Sequence, residues 1–323
     1  MERQPDDAAE HIPVLLDRCL ELLGPAIERP GAVLVDGTLG LGGHSEAALQ
    51  RYPELQLVGV DRDPEALRRA GERLAPFGGR ITLVHATFDQ VDAILARAGI
   101  SAVDGVLLDL GVSSMQLDLR SRGFAYSYDA PLDMRMDSSA ELDAAAVLAD
   151  YSQPDLARIL RDYGEERYAG RIARAIVEQR QTAPITDSRT LVELLERTIP
   201  LRAQRTGGGH PAKRTFQALR IEVNDELGCV ERALPGWLGR TGMGGRVVVM
   251  AYHSLEDRIV KRTFASATQA AVPPDLPVIP PDARPAFRLL GRGAGIASPT
   301  EISTNPRAAS VRLRAVERIR ETT

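Results

Sequence analysis

Four short apolar segments, separated by segments with helical spacing, dominate the first 110 residues of the chain. They cover residues 32–36, 55–61, 81–85 and 103–110. Strands that are apolar along most of their length, and that alternate with helices, form parallel sheets covered by helices on both faces. The sequence therefore predicts a doubly wound α/β domain, with helices between the strands over 44–51, 64–74 and 89–98.

This alternation stops after the fourth strand. From 119 to about 214 the apolar residues recur with helical periods, which cover 142–151, 154–163, 169–180 and 188–197. A helix over 214–234, a strand over 246–252 and a helix over 255–264 then resume the first pattern. The sequence predicts a discontinuous sheet domain, 1–118 and 213–323, interrupted by an all-helical insertion at 119–212.

Two further features mark the C-terminal part. Residues 272–298 are rich in proline, glycine and arginine, which predicts a long loop. Residues 310–316 alternate strictly between apolar and polar side chains, as a half-exposed edge strand does.

Composition excludes several classes of protein. At 44% apolar and 26% charged residues the chain is an ordinary globular protein. No apolar run approaches the roughly 18 residues that span a bilayer, and the acidic, polar start is unlike a secretory signal. Cys19 and Cys229 lie far apart in sequence, and two cysteines alone form neither a disulfide framework nor a zinc site. We expect a soluble, cytoplasmic protein with no metal site and no membrane association. Its net charge of −4 still allows a local basic surface.

The turn after the first strand, 36–44, contains four glycines. Glycine lets the backbone approach a ligand closely, and open α/β sheets bind ligands beyond the carboxyl ends of their strands. The dinucleotide fingerprint fails because Ser45 occupies its last position, and no phosphate-loop motif is present. A turn led by an acid, here Asp36, is typical of S-adenosylmethionine binders. The alternative is a structural turn with a strand-end cap.

Three side chains follow the next strands. Asp61 matches the acid that hydrogen-bonds a ribose diol, and Phe88 follows the third strand, where adenine binds in such folds, unless it only fills the core. Asp109 ends the fourth strand. Its carboxylate can accept a hydrogen bond from a methionine ammonium or from an amino group that is being methylated. Alternatively, it caps the next turn. Gln116 is either a second polar contact or a plain loop residue.

Two more motifs come later in the chain. His253 follows the fifth strand, and Ser254 with Asp257 resembles a helix-capping box. Lys213 and Arg214 lie in a run, 201–221, that has five basic residues and no acid. Such a run can position phosphates or form a solvated helix face. Three aromatic residues alternate in a loop and either stack on unpaired bases or pack on the insertion: Phe124, Tyr126 and Tyr128.

At these motifs the sequence resembles the bacterial ribosomal small-subunit methyltransferase H family, also called RsmH or MraW. The matching blocks are 11–16, 36–44, 61–64, 107–116, 131–137, 163–167, 210–220 and 253–261. The resemblance implies an S-adenosylmethionine-dependent, Rossmann-like domain with a helical insertion used in substrate recognition. It further implies methylation of the exocyclic N4 of one cytidine (cytidine-1402) in the decoding centre of 16S rRNA, in the small ribosomal subunit.

The resemblance also assigns residues. The implied cofactor contacts are Gly42, Gly43, His44, Asp61, Phe88, Asp109 and Gln116, and the substrate contacts that we expect are Lys213, Arg214, Arg220, His253 and Arg307. Asp109 is the candidate proton acceptor. The chain departs from the family pattern at Ala309, where a further basic residue is common, which affects the C-terminal RNA contact and not the chemistry.

Other functions fit the same pattern. A nicotinamide-dependent dehydrogenase would bind NAD, a binding-only scaffold would hold the cofactor without transferring methyl, and a methyltransferase of this fold could act on another RNA or on a small molecule. Methylation at carbon 5 of the base would need a cysteine nucleophile, and Cys19 and Cys229 lie in predicted helices away from strand ends. The sequence leaves open the oligomeric state, any metal dependence and the assembly stage of the ribosomal substrate.

Overall fold

The computed structural model describes residues 13–206, 209–270 and 283–321. The chain divides into two compact units. The sheet unit comprises Met1–Gly111 and Cys229–Thr323, and the helical unit comprises Val112–Gly228. The boundaries between the two units thus lie at 111/112 and 228/229, whereas the sequence predicts them at 118/119 and 212/213.

Seven strands form the sheet of the first unit. They are β1 (Val33–Asp36), β2 (Gln56–Asp61), β3 (Ile81–His85), β4 (Val103–Asp109), β5 (Thr241–Ala251), β6 (Phe287–Leu289) and β7 (Arg312–Arg318). Their order is β3-β2-β1-β4-β5-β7-β6. The first five strands in that order are parallel, whereas β7 runs antiparallel to both β5 and β6. The predicted α/β class is confirmed, with a mixed sheet.

Helices of the sheet unit connect and cover these strands. They are α1 (Leu16–Ile27), α2 (Gly43–Arg51), α3 (Pro64–Leu74), α4 (Val91–Ala98), the part of α12 (Glu226–Arg240) from Cys229 onward, α13 (Ser254–Ala267) and α14 (Pro299–Thr304). Asp63 begins α3, where its side chain accepts the Glu65 N–H and Pro64 occupies the first helical position. Trp237 on α12 and Phe264 on α13 are completely buried.

The helical unit contains α5 (Ser114–Asp118), α6 (Ala144–Asp150), α7 (Gln153–Asp162), α8 (Ala169–Arg180), α9 (Ser188–Thr198), α10 (Leu201–Thr206) and α11 (Ala212–Asn224). Side-chain oxygens of Asp143, Ser152 and Asp187 each accept a backbone N–H in the first turn of α6, α7 and α9. Such caps satisfy donors that have no intrahelical partner. The predicted helices of this region are confirmed, and they pack around one apolar core.

The predicted helix over 214–234 is wrong in one respect, because the chain forms two helices there. Asp225 separates α11 from α12 with a φ of 47°, in the left-handed region. Its N–H bonds to the carbonyls of Ile221 and Glu222, which closes α11. Aspartate adopts this conformation more readily than most residues. The apolar residues keep their helical spacing on both sides of Asp225, so the spacing alone does not reveal the break. Ala212, Phe216 and Leu219 of α11 are buried in the helical core.

The predicted edge strand is also corrected. The observed strand, β7, lies between β5 and β6, and Phe287, Arg288 and Leu289 of β6 pair with its outer side. Those three residues belong to the segment predicted as a loop, 272–298, of which residues 272–282 lie outside the described part of the chain. Among the described residues, no helix combines the length and the apolar character that a bilayer crossing needs.

Candidate active site

Three strands of the sheet unit end in aspartate at the same edge. Asp36 ends β1, Asp61 ends β2 and Asp109 ends β4. The chain proceeds from β1 outward through β2 to β3, and then continues on the other side of β1 with β4 and β5. Ligands of open α/β sheets bind at such a reversal of strand order, beyond the carboxyl ends of the strands. The candidate site is therefore the edge at which β1 and β4 end.

Asp36 shapes the turn that follows β1. Its Oδ2 accepts a hydrogen bond from the Ser45 hydroxyl at 2.7 Å, and its Oδ1 accepts the Thr38 N–H at 3.3 Å. The carboxyl is 2% exposed, and this burial raises its pKa to about 6. Both oxygens are thus engaged in joining the turn to the start of α2.

Two glycines of this turn are required by the protein's own backbone and packing, whether or not a ligand binds. Gly42 precedes α2 with a φ of 77°, in the left-handed region that favours glycine. A Cβ on Gly43 would lie 2.6 Å from Cγ of Pro13. Gly42 is therefore also required by the conformation of the turn, and Gly43 by the packing of Pro13 against the start of α2. Their contact with a cofactor stays a prediction.

His44 is buried at the first turn of α2. Its Nε2 lies 3.0 Å from the Val14 carbonyl oxygen. A carbonyl only accepts hydrogen bonds, so Nε2 carries the proton. Burial lowers the pKa of the imidazole, and the ring is therefore neutral at pH 7.

Asp61 ties the glycine turn to the end of β2. Its Oδ2 accepts the Gly40 N–H at 2.8 Å, and its Oδ1 accepts the Asp63 N–H at 2.9 Å. Burial raises its pKa to about 6. Each carboxylate oxygen has a second lone pair, so both remain able to accept a hydroxyl. The geometry is compatible with the predicted ribose contact.

Phe88 lies beside the same turn. A Cβ on Gly37 would approach the Phe88 Cβ to 3.2 Å and a Leu108 methyl to 2.5 Å. The Phe88 carbonyl accepts the indole N–H of Trp237 at 2.8 Å, and the Phe88 side chain is half-buried. The structure thus brings Phe88 next to the turn after β1, while its contact with adenine stays a prediction.

Asp109 differs from the other two aspartates. Its Oδ1 accepts a hydrogen bond from the Tyr252 hydroxyl at 2.7 Å. Its backbone N–H donates to the Thr38 hydroxyl at 2.6 Å, which joins the end of β4 to the glycine turn. Within the described part of the chain, no donor reaches Oδ2. One oxygen is oriented by the protein, and the other is available to a ligand.

The electrostatics of this carboxyl follow from its surroundings. Burial raises the pKa of Asp109 to about 7; the Tyr252 hydrogen bond opposes this and the charge of Glu256 adds to it. Burial and the neighbouring Asp109 charge raise the pKa of Tyr252, so its hydroxyl keeps the proton and acts as a donor. Asp109 consequently titrates near neutral pH, as a general base requires.

Tyr252 is a site residue to which the sequence pattern assigned no role. It follows β5 directly, and Met250 of β5 is in register with Asp109 of β4. That position after a central strand is the signal that could have found it. The partner, however, lies 143 residues away in sequence.

The predicted capping box is shifted by one residue. His253, not Ser254, caps α13, and Glu256, not Asp257, completes the box. The Glu256 carboxylate is 1% exposed and accepts the Tyr252 N–H at 2.8 Å. Asp257 instead pairs with Arg314 of β7. Since the His253 side chain is 11% exposed, it mainly holds the start of α13, and its substrate contact stays a prediction.

Gln116 belongs to the helical unit. Its side-chain oxygen accepts the Ser113 N–H at 3.1 Å, and its own N–H donates to the Ser113 hydroxyl at 3.3 Å. This capping box begins α5. The structure thus assigns Gln116 a local role, and its predicted cofactor contact stays a prediction.

The predicted substrate contacts differ in how freely they present charge. Lys213 and Arg214 are exposed on the first turn of α11. Arg220 instead forms a two-point ion pair with Glu226, at 2.7 and 2.9 Å. Arg307 is half-buried in a short 3₁₀ turn of the sheet unit. Lys213 and Arg214 are therefore better placed than Arg220 to meet an external phosphate.

Cys19 lies closer to the strand ends than the sequence analysis predicted. Its Sγ is 3.7 Å from Sδ of Met250, the residue in register with Asp109. Its pKa is raised well above the usual value by burial and by the charges of Asp109 and Asp36. A fully buried thiol that keeps its proton is not a nucleophile. Proximity alone therefore does not make Cys19 a carbon-5 catalyst.

Comparison with known proteins shows the family to which this chain belongs. The model of the MraW methylase family matches residues 8–319. Ribosomal RNA small subunit methyltransferase H of Nocardioides sp. is 62% identical over 308 residues, covering 95% of this chain and 96% of that protein. The protein of the same name in Saccharopolyspora erythraea is 60% identical over 311 residues, covering 96% of this chain and 94% of that one. Among solved structures, an rRNA methylase from Streptococcus thermophilus aligns over 99% of each chain, with a TM-score of 0.42 and 11% identity. Because the family match spans nearly the whole chain, including the glycine turn and the three strand-end aspartates, the protein belongs to the MraW methylase family.

Proposed function

We propose that this protein transfers a methyl group from S-adenosylmethionine to the exocyclic N4 of one cytidine in the decoding centre of 16S rRNA. Its relatives are named as ribosomal RNA small subunit methyltransferases, which supports the substrate class and a cytoplasmic site of action. The observation that carries the N4 chemistry is Asp109. One oxygen of this carboxylate is held by Tyr252, and the other is available beyond the end of β4.

The residues present fit S-adenosylmethionine. The turn of 36–44 has left-handed glycines at 40 and 42, so no side chain stands at these two positions between the backbone and a ligand. Asp61 would hold the ribose diol, Phe88 would lie against the adenine, and Gly42, Gly43 and His44 would complete the part of the site that the sheet unit provides. The bound cofactor supplies an electrophilic methyl on a sulfonium.

Asp109 would prepare the nitrogen that attacks this methyl. The N4 lone pair of cytosine is delocalised into the ring, so the amino group is a poor nucleophile. When Asp109 Oδ2 accepts an N4–H, the lone pair becomes more available to the methyl carbon. The N–C bond forms as the S–C bond breaks, and Asp109 takes the proton that N4 loses. Such positioned proton acceptance contributes about 10²–10⁴-fold.

The tertiary structure around Asp109 supports this role. The Tyr252 hydroxyl and the Thr38 hydroxyl hold the carboxyl and its backbone, so little reorganisation is needed when substrate binds. The target base must be unpaired or flipped out, because N4 is hydrogen-bonded within a duplex.

The test is transfer of labelled methyl from S-adenosylmethionine to small ribosomal subunits purified from cells that lack this protein. We expect label in 16S rRNA, and we expect mass analysis of RNA fragments to place it on N4 of one decoding-centre cytidine. Label at carbon 5, label on free nucleoside only, or tight binding of NAD in place of S-adenosylmethionine would each contradict the proposal.

We further propose that Lys213 and Arg214 contact rRNA phosphates. Both are exposed, and α11 has no acid in its first turn. Each phosphate contact to a single strand contributes about 0.7 to the slope of log affinity against log salt. The double variant Lys213→Ala/Arg214→Ala should therefore bind the RNA more weakly and lower that slope by about 1.4.

The matched control removes two exposed arginines from α8 of the same unit, as Arg171→Ala/Arg174→Ala. Binding is measured by fluorescence anisotropy of a decoding-centre RNA fragment across a salt series. A slope equal to that of the wild type in the α11 variant would reject the phosphate contact. An equal decrease in both variants would show a general charge effect.

A further inference from the structure

Three aromatic side chains of the helical unit form a cluster next to the exposed start of α11. The rings of Tyr126 and His210 are stacked, with centroids 4.7 Å apart and an interplanar angle of 17°. The Tyr126 ring also meets Phe216 edge to face at 5.7 Å and 80°. We call Tyr126, His210 and Phe216 the aromatic stack.

The aromatic stack is anchored at one end and open at the other. Phe216 is 4% exposed and belongs to the core of the helical unit. Tyr126 is half-buried, whereas 35% of the His210 side chain is exposed. The stack thus leads from the core to the surface and ends in the imidazole.

The orientation of that imidazole is set by its neighbours. Its Nδ1 accepts the Ala212 N–H at 3.2 Å, and Oε1 of Glu196 lies 3.9 Å from its Nε2. Tyr126 supports one face. A ring held in this way loses little rotational freedom when a second ring stacks on it, so binding costs less entropy than at a free side chain.

The charges beside the aromatic stack favour an anionic, aromatic ligand. Lys213 and Arg214 follow His210 within four residues, and both are exposed. In the described part of the chain neither forms an ion pair with an acid. Stacking platforms flanked by cations are the common means of binding single-stranded nucleic acid.

We propose that His210 is a stacking platform for an unpaired nucleobase of the RNA, adjacent to the phosphates that Lys213 and Arg214 meet. This inference rests on the proposed function, namely that the substrate is RNA. It assigns His210 to substrate binding, apart from the methyl-transfer chemistry at Asp109. Because every base has a π-face, the platform accepts bases without strong sequence preference.

The experiment compares His210→Ala with His210→Phe, which keeps an aromatic ring. Their affinities are measured for a 12-nucleotide oligouridine and for an abasic ribose-phosphate oligomer of equal length. Loss of one base–aromatic contact should weaken oligouridine binding by the alanine variant about 5- to 150-fold. The phenylalanine variant should keep most of the affinity, and all proteins should bind the abasic oligomer equally weakly.

Each outcome has a distinct meaning. Equal oligouridine affinity of wild type and His210→Ala would overturn the stacking role, and so would an equal loss on both oligomers, since that loss would not involve a base. Thermal unfolding of both variants checks that the helical unit is intact, and the phenylalanine variant gives a second result if the alanine variant does not fold. Absence of RNA binding by the wild type would instead contradict the proposed function.

Discussion

Replacing Asp109 with asparagine is expected to lower the rate of methyl transfer about 10²–10⁴-fold while leaving the sheet unit folded. Asparagine preserves the shape of the side chain and still accepts the Tyr252 hydrogen bond that Asp109 accepts at 2.7 Å. It cannot take a proton from N4. The measurement is single-turnover transfer of labelled methyl with saturating S-adenosylmethionine, which separates chemistry from cofactor binding.

The pH dependence of the wild type provides a second measure of Asp109. Burial raises its pKa to about 7, so the ionised fraction decreases below that pH. The rate of the chemical step should therefore fall about tenfold per pH unit below 7. The residual rate of Asp109→Asn should lack this dependence.

The free energy of unfolding should change with pH in the opposite sense to the rate of the chemical step. A carboxyl whose pKa is higher in the folded state binds its proton more tightly there, so it lowers the free energy of unfolding as pH rises from about 4 to 7. Asparagine removes this effect. The variant should be more stable than the wild type between pH 5 and 8, by at most ~4 kcal/mol for the change in pKa to about 7. The gain should be smaller than this limit because Asp109 is only partly buried.

Asp92→Asn is the matched control. Asp92 is 81% exposed on α4 and pairs with Arg240 at the surface, so its replacement should change neither the rate nor the pH profile. Near-normal turnover of Asp109→Asn, or a wild-type profile without an ascending limb near pH 7, would remove Asp109 from the mechanism.

Trp237→Ala should destabilise the sheet unit by about 3–5 kcal/mol. Trp237 is completely buried, so its removal leaves a cavity. It also leaves the Phe88 carbonyl without the indole N–H that bonds it at 2.8 Å, and a buried acceptor that loses its partner costs a further ~1–3 kcal/mol. Because Phe88 lies beside the glycine turn, we expect weaker S-adenosylmethionine binding as well.

Chemical denaturation and cofactor titration measure these two effects. Trp237→Phe separates the loss of stability from the loss of cofactor affinity. Phenylalanine fills most of the indole volume, so the loss of stability should be smaller than in Trp237→Ala. It provides no N–H donor for the Phe88 carbonyl, so cofactor affinity should still decrease. Met243→Ala, at a side chain that is 53% exposed in the sheet unit, is the control for loss of an apolar group. Surface substitutions usually change the free energy of unfolding by less than about 1 kcal/mol. A free energy of unfolding of Trp237→Ala that lies within this range of the Met243→Ala value would contradict this account of the core.

Several features of the site were predicted from sequence because they depend on local patterns. A strand that is apolar and ends in aspartate is visible in a few residues, and Asp36, Asp61 and Asp109 all lie where expected. The glycine turn likewise follows from its own backbone, since Gly40 and Gly42 adopt left-handed conformations.

Other features depend on residues that are distant in sequence. The Tyr252–Asp109 hydrogen bond joins positions 143 residues apart, and the burial of Cys19 beside Met250 joins positions 231 apart. Whether 312–318 forms an edge depended on the short strand β6, whose three residues carry too little pattern to distinguish them from a loop. The start of α13 was misplaced by one residue because histidine is an uncommon cap.

The sequence by itself determined the α/β class, the order of strands and helices in the first 110 residues, and the family, since periodicity and motifs are properties of neighbouring residues. Only the tertiary structure decided which oxygen of Asp109 is engaged, which arginines are already paired and which aromatic ring reaches the surface. These properties arise from contacts between distant segments, and burial and hydrogen-bond geometry at such contacts exist only after the chain has folded.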